Sequence, residues 1–305
     1  MSGLSPTILV IGRNGQLGWE LRRALLPLGR IVAPPRAQLD LAAPESLRAL
    51  LRELKPDVVV NPAAYTAVDQ AEREPERAFA VNAEAPRVLA QETAASGALL
   101  IHYSTDYVFD GAKPAPYDED DAPAPLNVYG RSKLAGEEAI REAAGDHLIF
   151  RTSWVYAMRG RNFLRTVLGL AREKDELRIV ADQVGAPTWA RLVAEATALA
   201  LHRALEERAR GEFESGLFHL TAQGETSWHG FAQALLEELR RLAPGGGIRC
   251  ASVVPIKTTE YPLPAPRPLN SRLDTSRVSA RFGLALPHWH ECLKLCLEEC
   301  YGPER

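Results

Sequence analysis

Residues 8–18 read Ile-Leu-Val-Ile-Gly-Arg-Asn-Gly-Gln-Leu-Gly, and this stretch decides the fold. A short apolar run and a glycine-rich turn are followed by leucines at helical spacing, at 17, 21, 25 and 28. Strand, glycine turn and helix in this order are the context of a dinucleotide-binding fingerprint, whose helix N-terminus faces the phosphates. An ordinary turn with a capping glycine is the alternative. The predicted cofactor contacts in this segment are Gly12, Asn14, Gly15, Gln16, Leu17 and Gly18.

Three further apolar runs, at 58–60, 99–103 and 148–151, are separated by helical patterns. Continuous runs of Val, Ile and Leu are typical of parallel strands that are covered on both faces. Each run ends in polar and aromatic residues, at the edge where an open α/β sheet binds ligands. The pattern predicts an α/β fold with a Rossmann-like, doubly wound parallel sheet.

The regularity weakens beyond residue 163. A turn-rich stretch at 179–188 precedes helical patterns at 192–208 and 228–242, and 217–220 has the composition of a strand that could return to the sheet. Four prolines in 262–268 predict an extended loop. We therefore expect a dinucleotide-binding domain over 1–160 and, over 161–305, a smaller and partly discontinuous C-terminal substrate lobe.

Tyr129 and Lys133 lie four residues apart, downstream of Ser104 and Thr105. Residues i and i+4 share a helix face, so the phenol and the ammonium are expected to point into one site. A nearby cation lowers the pKa of a tyrosine, most effectively in a buried site with further positive charge, such as an oxidised nicotinamide. Tyr-x-x-x-Lys is common by chance, and its significance here comes from the glycine-rich segment upstream.

The adenosine end of the predicted cofactor site lacks the expected acidic residue after the apolar run 31–33. Arg36 stands there instead and could accept a 2′-phosphate, which favours NADPH over NADH; a solvated loop cation is the alternative. Asp40 and Leu41 follow, where they could flank the adenine.

Composition excludes several classes of protein. The 305 residues carry a net charge of −3 with a pI of about 6.2, so no basic field argues for nucleic acid, and no apolar run has the length of a membrane span. Four cysteines are too few for a disulfide scaffold. Cys292, Cys296 and Cys300 are spaced as a helical stripe and are expected in the core. We expect a reduced, cytoplasmic protein.

Several longer motifs accompany the glycine-rich segment. They are 61–69 (Asn-Pro-Ala-Ala-Tyr-Thr-Ala-Val-Asp), 104–111 (Ser-Thr-Asp-Tyr-Val-Phe-Asp-Gly), 129–133, 151–156, 162–163, 182–188 (Asp-Gln-Val-Gly-Ala-Pro-Thr) and 267–268. With these motifs the chain resembles the extended short-chain dehydrogenase/reductase superfamily, and within it the dTDP-4-dehydrorhamnose reductases. The resemblance covers nearly the whole chain. It implies NADPH- or NADH-dependent reduction of the C4 ketone of dTDP-4-dehydro-6-deoxy-L-mannose to dTDP-L-rhamnose.

The resemblance also implies roles for individual residues. Thr105 would hydrogen-bond the C4 carbonyl oxygen, Tyr129 would protonate it, and Lys133 would lower the Tyr129 pKa and hold the nicotinamide ribose. Trp154 would stack on the deoxysugar, or else lie in the core; Asn82 would support the active-site helix, or else cap a helix. The implied cofactor-lining residues are Ala63, Ala64, Tyr65, Tyr129 and Lys133, and the implied substrate contacts are Ser104, Thr105, Asp106, Tyr129 and Trp154.

No metal site is predicted: the acidic residues at 118–121 are expected to form a solvated face, and they give no support for magnesium. Association with a second copy of the chain, as a homodimer, remains an alternative to a monomer. Two other functions remain as alternatives. One is a nucleotide-sugar epimerase or dehydratase of the same superfamily, although Asp106-Tyr107 replaces the Asp-Glu pair expected of a dehydratase. The other is the non-catalytic regulatory subunit of methionine adenosyltransferase, which has a related fold.

Overall fold

The computed structural model describes residues 5–302, which form an α/β structure. The strands are β1 (Thr7–Val10), β2 (Arg30–Val32), β3 (Val58–Asn61), β4 (Leu99–Thr105), β5 (His147–Thr152), β6 (Val155–Tyr156), β7 (Glu176–Val180), β8 (Val184–Gly185), β9 (Thr188–Trp189), β10 (Gly216–His219), β11 (Thr226–Ser227) and β12 (Ser252–Ile256). The α-helices are α1 (Gln16–Ala24), α2 (Pro44–Leu54), α3 (Val68–Ala71), α4 (Pro75–Phe79), α5 (Ala85–Ser96), α6 (Val128–Glu142), α7 (Phe163–Glu173), α8 (Ala190–Arg210), α9 (Trp228–Leu242), α10 (Ser276–Phe282) and α11 (Trp289–Tyr301).

Six strands form one sheet in the order β10-β5-β4-β3-β1-β2, and every neighbouring pair is parallel. From β1 the chain first extends the sheet to one side through β2 and then to the other through β3, β4 and β5. A crevice therefore opens between β1 and β3, at the carboxyl ends of the strands. The predicted parallel sheet is confirmed, and residues 217–220 do return to it as β10 and the residue that follows.

Helices cover both faces of the sheet. Leucines of α1 pack with residues of α8 and α10 on one face, and residues of α2, α5 and α6 pack on the other. Because both faces are buried, the strands show no polar alternation: each of the seven residues of β4 is buried. This double covering explains why the sequence shows continuous apolar runs.

The C-terminal part has a second apolar core of its own. It joins α7, α9 and α11 to the parallel pair β7 and β12, and Leu235, Phe231 and Leu293 are fully buried in it. The stretch 179–188 holds the end of β7 and the short strands β8 and β9. Meanwhile α8, β10 and α10 cross back to the first layer, so the C-terminal half contributes to both cores.

The cysteine stripe of α11 is only partly buried. Cys292 and Cys296 lie in the second core, as predicted, but Cys300 is exposed, so the prediction was wrong for that residue. Eight residues of helix rotate a side chain by about 80° beyond two full turns, which carries Cys300 away from the apolar face.

One buried ion pair fixes α6 to the sheet. Arg151 on β5 donates two hydrogen bonds to the Glu137 carboxylate, at 2.9 Å and 2.6 Å, and both side chains are buried. The guanidinium also lies over the Phe109 ring, 5.0 Å from its centroid. This geometry sets how deeply α6 lies against β4 and β5.

In the described residues 5–302, no helix combines the length and apolar character needed to cross a membrane.

Removing one partner of the buried pair is expected to be costly. Glu137→Leu should destabilise the fold by about 3–5 kcal/mol, because the Arg151 charge is left buried without a partner. The double substitution Glu137→Leu with Arg151→Met should recover most of that loss. Urea unfolding followed by circular dichroism measures both, with the exposed Glu138→Gln as a control expected to change little. A double variant as unstable as the single one would contradict the charge argument.

Candidate active site

The glycine-rich turn forms a narrow backbone cradle beside the crevice. Gly12 has φ of +77°, and a Cβ atom there would lie 2.9 Å from the Ala63 Cβ atom. A Cβ on Gly18 would lie 2.2 Å from the Gly12 carbonyl oxygen, so α1 begins almost in contact with the turn. Gly15 occupies the N-cap position, which leaves the first N–H groups of α1 free for an anion. A pyrophosphate fits this cradle.

The predicted residues of the turn divide between backbone and side-chain roles. Leu17 packs into the core below the sheet, so only its N–H faces the cradle. Gln16 accepts a hydrogen bond from Asn162 Nδ2 at 2.6 Å. Arg159 lies over the Trp19 ring, 4.1 Å from its centroid. The segment before α7 therefore closes one side of the cradle.

At the adenosine end, the sequence prediction missed Arg13. Its Nη1 atom donates to the Ala33 carbonyl oxygen at 3.1 Å, which places the guanidinium at the end of β2. Arg36 and Asp40 are exposed on the loop beyond, and Leu41 is buried against α2. A cation inside the glycine-rich motif was the available signal, but a sequence does not show that its side chain reaches β2.

Asn82 connects the loop after β3 to the active-site helix. It is fully buried in a π-helical turn at 80–84, accepts from the Tyr65 N–H at 2.8 Å and donates to the Tyr65 carbonyl oxygen at 3.0 Å. It also donates to Ser132 Oγ at 3.0 Å, and Ser132 donates to the Tyr129 carbonyl oxygen. The alternative of a simple helix cap is wrong. Asn82 holds the 63–65 segment beside α6.

Thr105 and Tyr129 meet at the carboxyl end of β4. Asn127 caps α6 by accepting from the Gly130 N–H at 2.8 Å, and Tyr129 follows in the first turn. Burial raises the pKa of Tyr129 to about 12, and a hydrogen bond with Thr105 acts in the opposite direction. The Tyr107 ring packs edge-on against Tyr129, with centroids 5.5 Å apart.

Lys133 makes its hydrogen bonds with residues of β4. Its Nζ donates to the Tyr103 carbonyl oxygen at 2.6 Å and lies 3.0 Å from His102 Nε2. Burial lowers the pKa of Lys133 to about 8. The effect of Lys133 on the Tyr129 pKa stays a prediction, and the net shift of that pKa is upward because burial outweighs the hydrogen bond with Thr105. A phenol that keeps its proton is the form a general acid needs.

Buried polar atoms without a partner gather at the carboxyl ends of β4 and β5. Among the described residues, they include Ser104 Oγ, Asp106 Oδ2 and Thr152 Oγ1. Burial raises the pKa of Asp106 to about 6. Since buried polar groups are normally hydrogen-bonded, these atoms indicate where a polar ligand binds.

Trp154 follows β5 in a left-handed backbone conformation, with φ of +49°. Its ring stacks on Trp228, with centroids 3.6 Å apart, and a Cβ on Gly185 would lie 2.8 Å from it. Strained backbone of this kind is concentrated at functional sites. Trp154 is partly exposed, between the sheet and the second core. This position is compatible with both interpretations of Trp154, contact with the deoxysugar and packing in the core.

The proline-rich loop closes over the start of α6. Arg267 donates to both carboxylate oxygens of Asp69, at 2.6 Å and 2.7 Å, and Asn127 donates to the Pro266 carbonyl oxygen. Two motifs that are 198 residues apart thereby meet beside Tyr107.

The sequence had predicted that the acidic residues 118–121 form a solvated face, but in the structure they take part in ion pairs and one of them is buried. Lys113 pairs with Asp118 and Asp121, while Arg277 pairs with Asp120 and lies 3.4 Å from Glu119. The Glu119 side chain is buried and accepts from the His219 N–H. Within residues 5–302, no cluster of three or more His, Cys, Asp or Glu side chains is arranged for a metal ion.

Comparison with known proteins gives a consistent result. Residues 6–301 match the family model described as the RmlD substrate binding domain. The chain is 53% identical to a dTDP-4-dehydrorhamnose reductase of Burkholderia thailandensis, over 96% of this chain and 98% of that protein. It is 47% identical to one of Escherichia coli K12, with the same coverage. The crystal structure of a Bacillus anthracis dTDP-4-dehydrorhamnose reductase in complex with NADP superimposes with a TM-score of 0.87 at 33% identity, covering 97% of this chain and 100% of that one.

Asp106 is expected to make stability depend on pH. Its pKa in the fold, about 6, is higher than that of an unfolded aspartate, so stability is lost as the pH rises from about 4 to above 6. Asp106→Asn should remove this dependence and stabilise the protein at pH 7 by about 2–3 kcal/mol. Urea unfolding between pH 4 and 8 measures it, with Asp110→Asn as the control. A hydrogen bond from Tyr117 lowers the pKa of Asp110, so that change should destabilise. Equal effects of both substitutions would contradict the assignment.

Proposed function

The chain belongs to the RmlD substrate binding domain family, and we propose that it acts as a dTDP-4-dehydrorhamnose reductase. In this reaction the C4 ketone of dTDP-4-dehydro-6-deoxy-L-mannose is reduced to give dTDP-L-rhamnose, at the expense of NADPH or NADH. The observation that carries the proposal is the hydrogen bond between Thr105 and Tyr129 at the carboxyl end of β4, with the buried Lys133 one turn further along α6. The same end of β4 holds the unpaired polar atoms of Ser104 and Asp106.

Each residue of the site has a defined part in the reduction. The reduced nicotinamide supplies the hydride to C4. Thr105 donates a hydrogen bond to the C4 oxygen, and Tyr129 gives that oxygen its proton. The high pKa of Tyr129 keeps the phenol protonated at neutral pH, ready for this transfer. Lys133 lies one turn further along α6 and holds the nicotinamide ribose hydroxyls.

We propose NADPH as the preferred cofactor. Arg13 lies at the end of β2 and Arg36 is exposed on the loop that follows it, where a 2′-phosphate would be neutralised. The backbone cradle of Gly12, Gly15 and Gly18 holds the pyrophosphate, while Ala63, Ala64 and Tyr65 line the next stretch of the cofactor.

Trp154 is proposed as the residue that positions the sugar. One face of its indole is held by Trp228, and the edge of the ring lies against Gly185, two residues of chain beyond the end of β5 being enough to reach it. An aromatic face there packs against the C6 methyl group and keeps C4 within reach of the hydride. We also propose that the dinucleotide-binding part of the chain ends near residue 160, with α8, β10 and α10 returning to it, and that the remaining part covers the sugar.

The two alternatives are weaker. An epimerase consumes no cofactor, so stoichiometric oxidation of NADPH by the ketosugar excludes it. A regulatory subunit has no use for a threonine and a tyrosine at interacting distance. We also propose a cytoplasmic location, in keeping with four free cysteines. The homodimer stays a prediction, which light scattering would test.

Replacing the proton donor should separate chemistry from binding. Tyr129→Phe should lower kcat by about 10²–10⁴-fold, the range typical of a lost acid, with NADPH binding nearly unchanged. Loss of NADPH absorbance in the presence of the ketosugar measures the rate, and quenching of protein fluorescence measures binding. Near-normal turnover by Tyr129→Phe would remove this residue from the mechanism.

Cofactor choice should depend on the two arginines. Arg13→Ala and Arg36→Ala should each raise the KM for NADPH by about 10-fold or more and leave the KM for NADH nearly unchanged, because only NADPH carries the 2′-phosphate. Arg23→Ala, which changes an exposed arginine of α1, is the matched control. Equal effects on both cofactors would show that these guanidiniums do not contact the phosphate.

A further inference from the structure

His102 lies behind Lys133, in a position that the proposed reaction does not use. Its Nε2 atom is 3.0 Å from Lys133 Nζ, and its Nδ1 atom is 3.2 Å from Asn61 Nδ2. Asn61 and His102 are partners in the register of β3 and β4. All three side chains are at most 1% exposed. Lys133 therefore lies at one end of a buried chain of polar side chains that begins with Asn61 on β3 and passes through His102 on β4.

The hydrogen bond at Asn61 determines which atom donates in each of the other hydrogen bonds of this polar chain. The Ala63 N–H donates to Asn61 Oδ1 at 3.3 Å. A backbone N–H can only donate, so the amide oxygen faces Ala63 and the Nδ2 group faces the imidazole. Nδ2 can only donate as well, so Nδ1 of His102 accepts. The imidazole proton then resides on Nε2 and points at Lys133 Nζ.

We propose that Asn61 and His102 are positioning residues for Lys133: Asn61 fixes the imidazole tautomer whose Nε2–H donates to the Lys133 amine. The proposal rests on the proposed function, since Lys133 serves there beside Tyr129 and the cofactor. The amine in turn donates to the Tyr103 carbonyl oxygen at 2.6 Å. Every member of the chain thus has a donor or acceptor matched to it.

The consequence is a lysine that loses its proton more readily than an ordinary lysine does. A donor aimed at Nζ disfavours the ammonium, and burial acts in the same direction, lowering the pKa to about 8. Of the ionisable groups around it, Glu137 on α6 raises that pKa but is itself bound by Arg151 of β5. Tyr129 and His102 are neutral, and burial holds the pKa of His102 well below its usual value. A group of this kind exchanges protons near working pH.

Variants that reverse the donor and acceptor roles of the two His102 nitrogens test the proposal. In Asn61→Asp a carboxylate accepts from both the Ala63 N–H and the His102 Nδ1–H, which leaves Nε2 as an acceptor for the ammonium. The pKa of Lys133 should rise by about one unit or more. His102→Gln adds no charge, and its amide oxygen can face Nζ, so it should raise the same pKa. NMR titration of ε-¹³C-lysine in the free protein measures both, with the Lys133 signal identified by its loss in Lys133→Met.

The controls separate this inference from the proposed function. His147→Gln changes a partly buried histidine at the start of β5, whose Nδ1 contacts the Gly145 carbonyl oxygen, and should leave the Lys133 titration unchanged. The pH at which NADPH binding weakens should move upward with the Lys133 pKa in both test variants. If the unsubstituted protein failed to reduce the ketosugar while the two variants showed the pKa shifts, only the proposed function would be overturned.

An unshifted Lys133 pKa in His102→Gln would overturn the inference. The same conclusion would follow if the unsubstituted protein showed every lysine titrating above about 10, the ordinary value. Thermal melting accompanies each titration. Should Asn61→Asp fail to fold, Asn61→Leu replaces it beside His102→Gln. Without the amide the tautomer is free, and there too the Lys133 pKa should rise.

Discussion

The depth at which α6 lies against the sheet is the constraint on which the site depends, and the Glu137–Arg151 pair sets it. Two charge-assisted hydrogen bonds, both buried, leave the helix little freedom to slide along β5. Close packing supports the pair, because a Cβ on Gly136 would lie 2.2 Å from the Asn82 carbonyl oxygen. With the helix at this depth, Tyr129 reaches Thr105 and Lys133 reaches the strand behind it. A bulkier helix would leave these groups too far apart.

Much of this arrangement could be predicted from sequence, because it follows from periodicity and local geometry. The glycine turn, the apolar runs of β1, β3, β4 and β5, and the shared helix face of Tyr129 and Lys133 are all local patterns. Parallel strands then bring their ends to one edge by geometry alone. The return of β10 was also predictable, since Leu217 and Phe218 have strand composition.

The remaining features depend on contacts that no spacing contains. The sign of the Tyr129 pKa shift follows from burial outweighing the hydrogen bond with Thr105, and the sequence showed only that a lysine was near. Lys133 turns toward His102 because the neighbouring strand offers a carbonyl oxygen and an imidazole, and β4 was analysed only for its apolar residues. Arg13 reaches β2 across twenty residues of chain. The acidic loop is paired by Arg277, which lies far along the sequence.

The crossing of α8 and β10 back to the first layer has a practical meaning for anyone who wishes to produce the nucleotide-binding part alone. Residues 1–160 would lack β10, so β5 would present an open row of backbone donors and acceptors at the sheet margin. They would also lack α8, and the leucines of α1 would face water. Such a fragment has the features of a protein that aggregates on expression. A usable fragment would need 190–219 joined back by a designed linker, because the boundary visible along the chain does not coincide with the boundary in space.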